Sequence, residues 1–98
     1  MVTLDHDSKV GNFNFINNSS LILHDAVIGS HNFIGPNTTI LGNANIGSNC
    51  YIGSNSIIDR NIIIGDNCII GANSFINKNV KSGSKVFGTP GLKQTLKN

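Results

Sequence analysis

The sequence predicts an all-β chain wound as a left-handed parallel β-helix, a triangular solenoid with three short repeats to the coil. Three observations carry that prediction: a strict aliphatic period of six, turn-forming residues in fixed register with it, and a departure from the pattern at every third repeat. The period comes first, because internal repeats decide a fold before local propensity does. Leu4, Val10, Ile16, Ile22, Ile28, Ile34, Ile40, Ile46, Ile52, Ile58, Ile64, Ile70 and Ile76 follow one another at intervals of six, 13 in succession. A helix repeats every 3.6 residues and a half-buried strand every 2, so neither accounts for six. A chain that turns a corner once per hexad does.

The neighbouring columns agree. The residue after the aliphatic is often glycine (Gly11, Gly29, Gly35, Gly47, Gly53, Gly65, Gly71), and the residue three after it is Asn in eight successive repeats, from Asn37 to Asn79. Both types tolerate left-handed backbone angles, which marks these columns as turns. Four after the aliphatic stands a mostly small residue (Ser20, Ala26, Thr38, Ala44, Cys50, Ser56, Cys68, Ser74), expected to point inward with it. The glycine gives way in every third repeat to Asp5, Leu23, Leu41, Asp59 and Asn77, so three hexads make one coil. Residues 1–81 are assigned to the β-helix, a little over four coils. After Lys81 the period stops, and residues 82–98 are expected to leave the prism as a C-terminal loop and tail, with Gln94–Asn98 a short helix or a frayed end.

Composition narrows the function. Seven Lys+Arg against five Asp+Glu give a net charge of +2, too little to attract nucleic acid or a membrane surface by bulk electrostatics. Five of the cations, Lys78, Lys81, Lys85, Lys93 and Lys97, cluster toward the C-terminus. The N-terminus lacks a basic stretch followed by an apolar run, and nowhere do about 18 apolar residues run together, so the expectation is a cytoplasmic protein without a membrane span. Cys50 and Cys68 form neither a disulfide framework nor a zinc motif, and no metal site is assigned.

This repeat grammar resembles the hexapeptide-repeat acyltransferase superfamily over nearly the whole chain. The stretches Ile16-Asn17, His24-Asp25-Ala26-Val27-Ile28-Gly29, Ile34-Gly35-Pro36 and Gly42-Asn43-Ala44-Asn45-Ile46-Gly47 look most like the C-terminal domain of sugar acetyltransferases of the sialic-acid and bacillosamine type. Val86-Phe87-Gly88-Thr89-Pro90 is similar to the loop that borders the coenzyme A site in that family. The resemblance implies a homotrimer that takes acetyl-CoA as acyl donor and acetylates a hydroxyl or amine of a sugar or nucleotide-sugar. It puts the catalytic base at His24, with Asp25 orienting the ring. It puts the coenzyme against Phe33, Gly42, Ser54, Ala72 and Lys85, with Lys93 a further candidate for its phosphates.

The chemistry agrees with that assignment, since acetyl transfer needs a base partly neutral near pH 7 and histidine is the usual one. No nucleophile such as Cys stands beside His24, so direct transfer without an acyl-enzyme is expected. Two positions depart from the family: Phe33 stands where a second histidine is common, and Leu23 where the residue before the base is often polar. Asp5-His6-Asp7 lies one coil before Leu23-His24-Asp25 and is a second candidate triplet. His24 is preferred because only its register aligns Gly42 and the tail loop. The relatives usually carry an N-terminal α/β domain for the nucleotide-sugar, which a chain of 98 residues leaves no room for, so a non-catalytic trimerisation or scaffold module stands as the alternative.

Overall fold

The computed structural model describes residues 1–90, Leu92 and the backbone of Lys93. The expectation for Gln94–Asn98 therefore lies outside the described residues, as does the Lys93 side chain. The chain forms a left-handed parallel β-helix with three flat faces. Thr3–Leu4, Leu21–Ile22, Thr39–Ile40, Ile57–Ile58 and Phe75–Ile76 stack as the first face. Lys9–Val10, Val27–Ile28, Asn45–Ile46 and Ile63–Ile64 make the second, extended by a bridge from Ile64 to Val80. The third runs Phe15–Ile16, Phe33–Ile34, Tyr51–Ile52, Ile69–Ile70 and Lys85–Phe87, with Leu92–Lys93 added antiparallel at its end. Through Ile64 and Ile70 each strand pairs with the one three hexads on, Ile46 with Ile64 and Ile52 with Ile70.

Left-handed winding between parallel strands runs against the usual right-handed crossover. The corners supply the reason. Twelve non-glycine residues, one per corner from Asp7 to Asn73, hold φ between 57° and 63°. That region costs an L-residue about 1–2 kcal/mol, least for Asn and Asp, and Asn fills it seven times in succession from Asn37. The glycine column does something else. None of the seven glycines after the aliphatics has positive φ; a Cβ at Gly35 would stand 2.6 Å from the Ser54 nitrogen. These residues are glycine because the next coil passes too close for a side chain.

Within each two-residue strand the second residue points in. Ile22, Ile34, Ile40, Ile52, Ile58 and Ile70 are fully buried, and burial of each is worth about 1.5–3 kcal/mol. The small column packs beside them and satisfies its own polar atoms: Ser20 Oγ donates to the Gly35 carbonyl at 3.1 Å, and Ser56 Oγ to that of Gly71 at 3.0 Å. Cys50 and Cys68 are buried core residues, and burial pushes the Cys50 thiol up to about 11, which keeps it protonated at neutral pH.

The C-terminal coil corrects the expected boundary. Ile64 meets Val80 and Ile70 meets Val86, so this coil is two residues shorter than those before it. Asn79 is consequently not a left-handed corner; its Oδ1 accepts the Ile63 N–H at 2.8 Å. Lys85–Phe87 is a rung of the third face, so the segment after Lys81 completes a fifth coil rather than leaving the prism as a loop. The period changes there because one corner is made with fewer residues. No helix of the described residues is long and apolar enough to cross a membrane.

The packing separates residues that look alike in sequence. Ile40→Ala should lower the unfolding free energy in a urea titration by about 2–5 kcal/mol, whereas Leu4→Ala, at a side chain 55% exposed, should change it by less than about 1 kcal/mol. Both belong to the inward column, but Leu4 lies in the uncovered first coil; equal losses at both positions would contradict this difference in burial.

Candidate active site at the first corner

The corner between the first and second faces stacks His6, His24, Gly42 and Arg60, one per coil. Backbone bonds tie the stack together: the N–H groups of Asp25, Asn43 and Asn61 donate to the carbonyls of His6, His24 and Gly42 at 3.1, 3.0 and 3.1 Å. Asp25 occupies the left-handed position of its corner, φ 58°, and its Oδ2 lies 3.3 Å from His24 Nδ1. The opposite edge of the same ring lies over residue 42. A Cβ there would stand 2.5 Å from both Cε1 and Nε2 of His24, so the absence of a side chain at Gly42 makes room for the imidazole. Leu23, His24, Leu41, Gly42, Arg60 and two asparagines enclose a notch of about 360 Å³, within the size range of small-molecule sites.

The residue before each corner position decides whether its backbone N–H is free. Asp5 Oδ1 accepts the His6 N–H at 2.7 Å, and Asp59 Oδ1 accepts the Arg60 N–H at 2.8 Å. Leu23 and Leu41 have no such acceptor to offer. Among the described residues the N–H groups of His24 and Gly42 accordingly have no partner, and that of Gly42 lies at the notch. The substitution of Leu for a polar residue at position 23 thus has a local consequence that the sequence did not reveal.

His6 stacks on His24, ring centroids 5.6 Å apart and 12° from parallel, as the coil register predicts. Its Nδ1 lies 3.1 Å from Asp5 Oδ1, and the His6 backbone N–H, the leading cause, holds the Asp5 carboxyl below the usual range. His6 is not among the residues that line the notch. His6, His24 and Asp25 also bring metal-ligand atoms within 4.8 Å of one another, all on exposed side chains, but each imidazole Nδ1 already faces a carboxylate.

The other expected site residues lie elsewhere on the chain. Ser54 and Ala72 sit at the corner between the third and first faces, against Gly35 and Gly53. The tail meets the same corner: Gly88 O accepts the Phe75 N–H at 2.9 Å, and Thr89 Oγ1 donates to the Asn73 carbonyl at 3.1 Å. Phe33 and Lys85 are exposed on the third face, opposite the His24 corner, with Phe33 stacked on Tyr51 at 5.0 Å. One chain therefore assembles His24, Asp25 and Gly42 at one edge of the first face and Ser54, Ala72 and the tail at the other edge. Arg60 was not singled out by sequence reasoning, although position 60 is one coil beyond Gly42 in the same column.

Known proteins match this architecture closely. The acetyltransferase domain of PglB from Neisseria gonorrhoeae superposes with a TM-score of 0.84 at 19% identity, over 95% of this chain and 54% of that one. The same domain has been solved in complex with acetyl coenzyme A, and that structure superposes at 0.81 with 20% identity, over 95% and 51%. The hexapeptide-repeat containing acetyltransferase VCA0836 from Vibrio cholerae gives 0.87 at 24% identity, over 96% and 68%. At these identities the likeness is one of fold, and the chain spans about half the length of the gonococcal domain. No curated protein matches the chain in sequence. The family profile described as bacterial transferase hexapeptide (six repeats) matches twice in succession, over residues 7–42 and 43–78. Those two matches take in most of the chain and place the protein in the bacterial transferase hexapeptide family.

Proposed function

We propose that the chain is the catalytic β-helix of an acetyl-CoA-dependent O- or N-acetyltransferase acting on a sugar or nucleotide-sugar. The observation that carries this reading is the His24 ring, with Nδ1 beside Asp25 and Nε2 over Gly42. With its Nδ1–H donated to Asp25, His24 presents a basic Nε2 to the notch. Nε2 takes the proton from the acceptor hydroxyl or amine as that atom attacks the thioester carbonyl carbon. The Gly42 N–H donates to the oxyanion that develops, a contribution of the oxyanion-hole kind. Collapse breaks the carbon–sulfur bond, and the imidazolium returns its proton to the departing thiolate. Acetyl ester or amide and free coenzyme A result.

The separation of the two corners supports a homotrimer. If the Ser54–Ala72 corner of one copy lies beside the His24 corner of the next, three equivalent composite sites form. Phe33 and Lys85 then reach the donor only from a neighbouring copy. Leu21, Ile57 and Ile63 stand 39–54% exposed on the outer faces, apolar surface of the kind an assembly covers. On this reading the protein works in the cytoplasm, where acetyl-CoA is at hand. The same separation favours one other reading, a non-catalytic scaffold, because a lone chain leaves the base and the donor corner apart.

Acetyl-CoA binding by the assembled protein, measured by calorimetry, should saturate at one site per chain; a folded trimer that binds none would select the scaffold. His24→Ala is expected to lower turnover by about 10²–10⁴-fold while the sedimentation coefficient stays that of the parent. Turnover equal to the parent would remove His24 as the base. Gly42→Ala should leave the circular dichroism spectrum and melting curve near the parent, since the ring can swing aside, yet lose at least tenfold in turnover because Nε2 is displaced.

A further inference from the structure

The wall of the notch opposite His24 is Arg60, the only arginine in the sequence. It stands two coils beyond His24 and one beyond Gly42, so the two side chains flank a gap of about 10 Å between their backbones, with no side chain between them in the column. Among the described residues the Arg60 guanidinium makes no ion pair and no hydrogen bond. The nearby carboxylates are engaged elsewhere: Asp59 accepts the Arg60 backbone N–H, Asp25 faces His24 and Asp5 faces His6. Leu23 and Leu41 supply the apolar walls, and Asn43 and Asn61 the neutral polar ones. The notch therefore contains one permanent positive charge and no carboxylate on its lining.

We propose that Arg60 orients the acceptor by binding an oxyanion it carries, a carboxylate or a phosphate, while the hydroxyl or amine to be acetylated lies at His24 Nε2. The assignment to the acceptor rests on the acetyl-transfer reading above; the anion site itself stands on Arg60 and the notch. A guanidinium suits this task because its planar fork of donors matches a carboxylate or phosphate edge and stays charged at every working pH. A lysine at the same place would supply charge without the directional pair of hydrogen bonds.

Inorganic phosphate, titrated into the isotopically labelled protein, is expected to shift the Gly42 and Asn61 amide resonances. The shift should persist in His24→Ala, weaken at least tenfold in Arg60→Gln and return in part in Arg60→Lys. In acetyl transfer, the parent should prefer glucosamine 6-phosphate to glucosamine, and Arg60→Gln should cut that preference at least tenfold through KM. No phosphate binding by the parent, or equal binding by the parent and Arg60→Gln, overturns the proposal. So does a rise in the KM for acetyl-CoA without a change in acceptor preference, which would assign the cation to the donor. Phosphate binding that depends on Arg60, in a protein with no acetyl transfer at all, would keep the anion site and remove the acetyl-transfer reading.

Discussion

A backbone that enters the left-handed region once per hexad cannot wander in register. Each such corner turns the chain onto the next face, and three of them return it to its starting direction one strand spacing along the axis. Each residue thus lies over its counterpart three hexads on, and the hydrogen bonds between coils lock that relation. The cost of twelve left-handed residues falls mostly on the Asn and Asp that bear it most cheaply, and also on Phe13, Ser19 and His31. The compensation is a core of isoleucines stacked in columns, satisfied at its polar edges by serine and threonine hydroxyls.

Stacking at a fixed offset makes every side chain a constraint on its neighbour in the same column. Most of the glycines are a response to that crowding, and at the first corner the same crowding creates the site. His24 leans along the axis, and only a residue without a Cβ fits beyond it. The corner then differs from those above and below by what precedes each position. Aspartate captures the next backbone N–H at His6 and Arg60; leucine leaves it free at His24 and Gly42. Two apolar substitutions in a polar column thus open a pair of donors without altering the backbone path.

The rigidity that builds this notch also limits it. A triangular prism cannot bring one of its corners to another, so the groups at the His24 corner and those at the Ser54–Ala72 corner remain on opposite edges of one face. No loop among the described residues spans the distance. Chemistry requiring both is not assembled by the described residues of one copy, and on the proposed reading a neighbouring copy supplies the second corner.

The sequence by itself determined the fold class, the three-hexad coil, the inward isoleucines and the column that contains His6, His24, Gly42 and Arg60, because all of these follow from a period that survives without knowledge of contacts. The seven corner asparagines were legible for the same reason. The glycine column was misread as left-handed, since a sequence does not distinguish glycine used for backbone freedom from glycine used for close approach. The shortened last coil was missed because making one corner with fewer residues breaks the period while the hydrogen-bonding continues, through Val80 and Lys85–Phe87. Only the tertiary structure decided which way the His24 ring leans, which backbone N–H groups stay free and that Arg60 lines the same notch. These depend on rotamers and on neighbours a full coil away, where a one-dimensional pattern records position but not direction.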